Sequence, residues 1–368
     1  MTADDSGGQG MDAFNSVSRI LVVRLGNIGD ILMLSPAARM VRRAWPEARV
    51  TLMASPAGAA VAGLVPGIDE VFVHRALWQD AHGDMAFDPS REQALVRELA
   101  RRSFNAVLIF TSFSQSPFPP AYACYLAGIP VRIGQSREFG GGVLTHWVRP
   151  PADDAHQVDR NLHLLREAGI PVVGPDVTAV RISVPRAAHA RAQTVLQEQG
   201  VRGDFVVIAP GATCSARRYP VERYAAVAAG LRLAGRTVVV VGGPRDIARG
   251  VAVASASGAV SLCGQTDIAV LAALLARARL LIANDSGPMH LADAVDCPMV
   301  ILYSGTDRES QWGPRRAPAR LLRRPTACAP CYRFICPYDL ECLAIPPEEV
   351  VAQALGLWGE TLREAADG

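Results

Sequence analysis

Residues 20–33 read ILVVRLGNIGDILM, and the fold follows from how this stretch is parsed. Ile20–Arg24 is a run of branched aliphatic residues, the composition of a strand buried on both faces. Gly26 and Gly29 stand three apart and let the backbone turn sharply. A helix-like stretch, Pro36–Ala44, follows. Strand, small-residue turn and helix make the first half of a parallel βαβ unit.

The same alternation runs outward along the chain. Arg49–Ala54, Glu70–Val73 and Ala106–Phe110 read as further strands, with Arg91–Arg102 as a helix. Phe205–Pro210, Thr237–Val241, Val260–Leu262, Leu280–Ala283 and Met299–Tyr303 repeat the theme, separated by helices at Val221–Ala234, Ile268–Ala278 and Met289–Val295. Parallel neighbours need a long return path, so the pattern predicts two doubly wound α/β domains. We place them at 19–170 and 187–345. Residues 171–186 hold three prolines without a helical period and read as a linker. A last helix in 346–368, about Pro347 to Glu364, is expected to pack on the N-terminal domain. Two such domains are expected to face each other across a cleft lined by the carboxyl ends of the strands, where ligands bind in open sheets.

Composition sets limits on function. The 368 residues suit two domains, and half of them are hydrophobic. All 37 basic residues are arginine. Without lysine there is no Walker A loop and no lysine Schiff base. A net charge of +2 argues against a dedicated nucleic-acid binder. The run from Ile20 to Leu34 contains Arg24 and Asp30, which excludes a membrane span. Residues 1–18 carry Asp4, Asp5 and Asp12 ahead of Arg19, the reverse of a signal peptide, and read as a disordered tail. Cytoplasmic localisation is the expectation, with little role for disulfides.

Three strand-to-helix turns carry the chemistry. In the first, Asp30 stands at the tip of a strand, either as a general base or as a helix N-cap. Gly29 lies beside it, where helix-start amides favour an anion. The second, residues 210–220 (PGATCSARRYP), combines a small-residue turn with Thr213, Ser215 and the guanidiniums of Arg217 and Arg218. That set suits a diphosphate, and equally a solvated loop. In the third, residues 284–290 (NDSGPMH), Ser286 and Gly287 sit at a helix start near Pro288, where amides and helix dipole meet a negative ligand. Asp285 and His290 flank them; an ordinary cap with a satisfied histidine is the alternative. A fourth turn, Gly242–Asp246, offers Asp246 to ribose hydroxyls.

Taken together, these motifs resemble the heptosyltransferases of glycosyltransferase family 9. Residues 20–53 look like that family's N-terminal strand, GD loop and helix, residues 209–231 like its donor-phosphate loop, and residues 284–295 like its D-[ST]-G-x-x-H segment. The resemblance implies the GT-B fold, with two Rossmann-like domains. It also implies inverting transfer of a heptose from ADP-heptose to a sugar hydroxyl without a catalytic metal or other required cofactor. Asp30 would be the general base. Gly29, Thr213, Ser215, Asp285, Ser286, Gly287 and His290 would bind the donor, with Asp246 on the ribose. Arg217 stands where members often carry lysine. The implied acceptor is the lipid-linked inner core of lipopolysaccharide, with a protein or small metabolite as the alternative. Such an acceptor predicts peripheral contact with the inner membrane, for which Arg42, Arg43, Arg101 and Arg102 are candidates. A GT-B epimerase or hydrolase, and a non-catalytic nucleotide-sugar-binding protein, are the competing classes.

Four cysteines, Cys328, Cys331, Cys336 and Cys342, crowd the segment 328–342. Tetrahedral thiolates suit a structural Zn or Fe. Reduced thiols packing a loop, or disulfides, are the alternatives. In the protein-modifying branch of the resembled family, such a segment holds iron structurally.

Overall fold

The computed structural model describes residues 17–80 and 83–367. Residues 1–16, most of the stretch read as a tail, lie outside the described residues. Val17 is buried, and the Asn105 side chain accepts hydrogen bonds from the Ser18 and Arg19 amides, so the last two residues of that stretch belong to the fold.

The chain divides into two compact units, residues 1–181 and 182–368. The division falls inside the stretch read as a linker. In the first unit the order is β1 (Arg19–Arg24), α1 (Ile28–Leu32), α2 (Ser35–Ala44), β2 (Arg49–Ala54), α3 (Pro56–Ala62), β3 (Glu70–Val73) and α4 (Pro89–Arg102). Then come β4 (Ala106–Ile109), α5 (Phe118–Leu126), β5 (Val131–Gln135), β6 (His146–Val148) and α6 (Gln157–Glu167). The strands form one parallel sheet in the order β3-β2-β1-β4-β5-β6. β1 and β4 are buried along almost their whole length because helices cover both faces. Leu21, Val23, Val107 and Ile109 carry that sheet onto Leu95 and Leu99 of α4.

The second unit opens on α7 (Arg186–Glu198) and continues with β7 (Phe205–Ala209), α8 (Val221–Leu233), β8 (Thr237–Val240), α9 (Ile247–Ser257), β9 (Val260–Ser261) and α10 (Ile268–Leu275). It ends with β10 (Leu280–Asn284), α11 (Gly287–Ala294), β11 (Met299–Leu302), α12 (Glu309–Trp312), β12 (Ala319–Leu322) and α13 (Pro347–Asp367). Its parallel sheet runs β12-β11-β10-β7-β8-β9. Both sheets therefore reverse winding once, between β1 and β4 in the first unit and between β7 and β10 in the second. The carboxyl ends at such a reversal are where doubly wound sheets leave room for a ligand.

α13 packs on α8 and on β10–β12 of its own unit. Val350, Ala354, Leu357 and Trp358 recur at helical spacing and join the core of the second unit, with Arg236 lying 4.7 Å over the Trp358 ring.

Candidate active site

In the first unit the site is built where β1 ends. Asn27, not Asp30, is the N-cap of α1; Asp30 occupies the third helical position and closes a capping box. Its Oδ2 accepts the Asn27 amide at 2.7 Å, and its Oδ1 is paired with the Arg24 guanidinium. Arg24 is fully buried, while the Asp30 side chain keeps 16% exposure. Gly26 is required by close approach, since a Cβ there would lie 2.2 Å from Asp30 Oδ2. The Ser55 hydroxyl pins the same turn by donating to the Gly26 carbonyl at 2.6 Å. Asp30 is thus a rigidly aimed, partly exposed carboxylate, which is the form a general base needs.

In the second unit, Gly211 is the meeting point. Asn284, at the end of β10, is wholly buried and donates to the carbonyls of Pro210 (3.1 Å) and Gly211 (3.2 Å). Its Oδ1 accepts from the Tyr219 amide and the Tyr224 hydroxyl, each at 3.0 Å. The Ser286 hydroxyl reaches the Gly211 and Asn284 carbonyls at 3.4 and 3.2 Å. Ser286 is the N-cap of α11, yet its hydroxyl makes no cap bond to that helix. Pro288 has no N–H and the Met289 amide donates to the Ser286 carbonyl at 3.0 Å, so in this first turn it is the Gly287 amide that is left to another acceptor. Asp246 packs against the same turn: a Cβ at Gly211 would lie 2.6 Å from its carboxyl group, and Arg249 pairs with it at 2.7 Å. Thr213 is exposed nearby. The structure thus gathers Ser286, Gly287 and Asp246 around one turn, with Asn284 as the hub that sequence reading passed over. Its signal was its place at the tip of an apolar strand.

Arg217 is differently placed from a free phosphate ligand. It pairs with Asp307, donates from Nε to Thr306 Oγ1 at 2.9 Å, and lies 3.9 Å from the Asp285 carboxylate. Asp285 itself is buried and accepts from the Ser304 hydroxyl at 2.9 Å. Ser304, Thr306 and Asp307 follow β11 on one more strand-end turn, and that position was the signal for them. Arg218, by contrast, donates to the carbonyls of Ala212 and Thr213 at 3.0 and 3.5 Å. The exposed Ser215 donates to the Phe334 carbonyl at 3.3 Å. His290 is half-buried in the first turn of α11.

Burial pushes the Asp285 pKa up to about 7, against the opposing pull of Arg217 and the Ser304 bonds. A folded-state value above the unfolded one stabilises the fold fully below about pH 4, and that contribution is lost as pH rises through about 7. From about pH 4 to about pH 7, the stability of the wild type should therefore fall relative to D285N, by about 1.4 kcal/mol per pH unit at most, and level off above. Parallel melting curves for the two would mean that Asp285 stays ionised throughout.

The four clustered cysteines lie close together, since Cys328, Cys331 and Cys336 all act on the Cys342 thiol. All are free thiols; Cys328, Cys331 and Cys336 are half-buried and Cys342 is buried, its thiol pKa raised by that burial. Among the described residues no group of three or more His, Cys, Asp or Glu side chains converges to hold a metal. The segment instead braces the site: the Cys331 and Tyr332 amides donate to Gly305 and Thr306, and the Ala216 amide donates to Phe334. The arginines considered for membrane contact are engaged within the first unit. Arg42 pairs with Asp69, Arg43 donates to the Val173 carbonyl, and Arg101 and Arg102 share Glu98. Among the described residues no helix is long and apolar enough to cross a membrane.

Two parallel sheets, each with its polar turns at a winding reversal, define an α/β protein of the GT-B type. A family model described as glycosyltransferase family 9 (heptosyltransferase) matches residues 93–340. That is more than half of the chain, and the chain belongs to this family of glycosyltransferases. Lipopolysaccharide heptosyltransferase 3 of Escherichia coli (strain K12) is 26% identical over 294 residues, covering 76% of this chain and 80% of that protein. The glycosyl transferase family 9 structure from Veillonella parvula DSM 2008 matches with a TM-score of 0.77 at 23% identity, covering 93% of this chain and 98% of that one. The structure of E. coli ADP-heptose lps heptosyltransferase II matches at 0.72 and 21%, covering 93% and 99%. Both share the fold.

Proposed function

We propose that the chain transfers a heptose from ADP-heptose to a sugar hydroxyl of the lipopolysaccharide inner core, inverting the anomeric centre. The descriptions of the E. coli relatives support this donor and acceptor. The observation that carries the reading is the convergence on Gly211, where a helix start, two hydroxyl-bearing residues and an acid share one turn. Such a turn suits the diphosphate and ribose of a nucleotide sugar.

A sugar hydroxyl is a poor nucleophile, so Asp30 takes its proton as it attacks the anomeric carbon from the side opposite the departing phosphate. Charge then develops on the leaving ADP. The Gly287 amide at the start of α11, the Thr213 and Ser286 hydroxyls and a guanidinium stabilise it. Family resemblance assigns that guanidinium to Arg217. The ion pair with Asp307 already offsets the Arg217 charge, whereas the recorded partners of Arg218 are neutral carbonyls. We therefore assign the phosphate contact to Arg218. Replacing Arg218 by Ala should weaken ADP binding about 10- to 100-fold, the worth of a charge-assisted bond. Replacing Arg217 should lower the melting temperature first. Calorimetric titration with ADP reads the difference, and an R218A protein binding ADP like wild type would return the role to Arg217.

The reaction is tested with a donor panel of ADP- and UDP-sugars, read by released nucleoside diphosphate with and without core-oligosaccharide acceptors. Acceptor-dependent release of ADP from ADP-heptose is the expected result. Conversion of ADP-heptose without any acceptor would indicate an epimerase or hydrolase instead. Binding without turnover under every acceptor would leave a nucleotide-sugar-binding protein.

A further inference from the structure

The polar turns lie at one end of the second sheet, and a pocket that no step of the transfer uses lies at the other. A volume of about 450 Å³ opens where α7 ends and β7 begins, beside the segment that joins α10 to β10. Leu196 and Phe205 form its apolar floor, at 3% and 2% exposure. Gln193, Gln197, Arg202 and Arg277 are exposed around them. Arg279 adjoins the pocket: its amide donates to the Phe205 carbonyl at 3.0 Å, and its Nε and Nη2 are buried without a hydrogen-bond partner. Buried donors in folded proteins are nearly always satisfied, so two idle guanidinium nitrogens are an exception that calls for an acceptor.

The described residues around the pocket do not supply one. No acid stands in the lining. Glu198, the one acid of α7, is taken by Arg191 at 3.7 Å. Asp204 is exposed and outside the lining. The carbonyl ends of α7 and α10 each bring about half a negative charge. On α7 the Gly200 and Val201 amides already close on the Gln197 and Leu196 carbonyls, at 3.0 and 2.9 Å. Asp204 and the two helix ends together bring about two negative charges, against the three guanidiniums of Arg202, Arg277 and Arg279. The pocket is left positive, with an apolar floor and amide side chains at its edge.

We propose that this pocket binds a nucleotide, at a site separate from the turn at Gly211. The phosphates fall to the arginines, since a guanidinium matches phosphate two oxygens at a time. The base lies on Leu196 and Phe205. Gln193 and Gln197 stand four apart on one face of α7, and each offers a donor and an acceptor to the edge of a base. The volume falls in the range of small-molecule sites, roughly 300–1,000 Å³. β7 runs from Phe205 to Ala209, which sets the pocket and the Gly211 turn on the order of 15 Å apart. The inference stands on this pocket and does not depend on the chain being a transferase.

The test is calorimetric titration of the full chain with ADP, and with adenosine and inorganic pyrophosphate as its parts. ADP should occupy a site that R202Q/R277Q weakens at least about 100-fold, about 10-fold for each charge-assisted contact, and that R218A leaves unchanged. Q197E brings an acid into the lining at an exposed position. It should weaken the same site with the melting temperature unchanged, which a disrupted fold would not do. Adenosine and pyrophosphate should each bind more weakly than ADP. ADP binding that is indifferent to R202Q/R277Q and to Q197E overturns the site. Pyrophosphate binding as tightly as ADP overturns the place given to the base, and adenosine binding as tightly as ADP overturns the role of the arginines. The transferase reading fails by a different result, ADP binding untouched by R218A in a protein that turns over with no acceptor.

Discussion

Asp30→Asn is expected to lower turnover about 10²–10⁴-fold while ADP binding in the second unit stays close to wild type. The amide keeps the size of the carboxylate but has one acceptor oxygen, so it can keep the Asn27 N–H only by turning its NH2 toward the buried Arg24 guanidinium; a melting curve beside the turnover assay separates that loss of stability from the loss of chemistry. What it cannot do is take a proton. Gly26→Ala offers an independent route to the same loss. Its Cβ would lie 2.2 Å from the Asp30 carboxyl oxygen, so the carboxylate must move off its aim with its chemistry intact. Misplacement of a catalytic group by about 1 Å can cost roughly 100-fold. Single-turnover measurements on both variants check this. A near-normal rate in D30N would remove the carboxylate from the reaction, and a near-normal rate in G26A alone would mean the turn can relax.

Asn284→Ala is expected to produce the largest loss of stability outside the apolar core. The side chain satisfies two carbonyls, one amide and one tyrosine hydroxyl in a place water does not reach. Each stranded buried group costs about 1–3 kcal/mol. A total of about 3–5 kcal/mol allows for relaxation, or roughly 6–20 °C in melting temperature for a unit of this size. Affinity for ADP should fall with it, because Asn284 fixes the turn at Gly211 against the start of α11. Thermal melts and ADP titrations read the two effects. A variant that melts within about 1 kcal/mol of wild type would mean the turn is held by its own backbone.

Most strands were legible because a strand covered on both faces must be apolar throughout, and runs such as Phe205–Ala209 have that composition. The exceptions have specific causes. β5 reads Val-Arg-Ile-Gly-Gln, too polar for a buried strand, but the Arg132 guanidinium is consumed by the carbonyls of Ile129, Pro130 and Val143. β12 carries Arg320, whose partners Gln353 and Glu360 arrive from α13. The GD turn was legible because Gly26 and Asp30 must fit each other locally. Arg160 was not, since a helical arginine reads as surface until the buried residues around it are known.

From composition and spacing alone came two doubly wound units, a carboxylate at the tip of β1, and strand-end turns suited to a diphosphate. These are local properties: aliphatic runs, small residues at turns and acids at helix starts act within a few residues of themselves. Folding alone decided which charges are spent and which are left over. Arg217 lies 90 residues from Asp307 and Asn284 lies 60 from Tyr224. Whether such a pair meets depends on strand order and register, which no short window of sequence contains. For the same reason Arg160, which reads as surface in the chain, becomes a buried cation, and Arg24 at the end of β1 becomes the buried partner of Asp30.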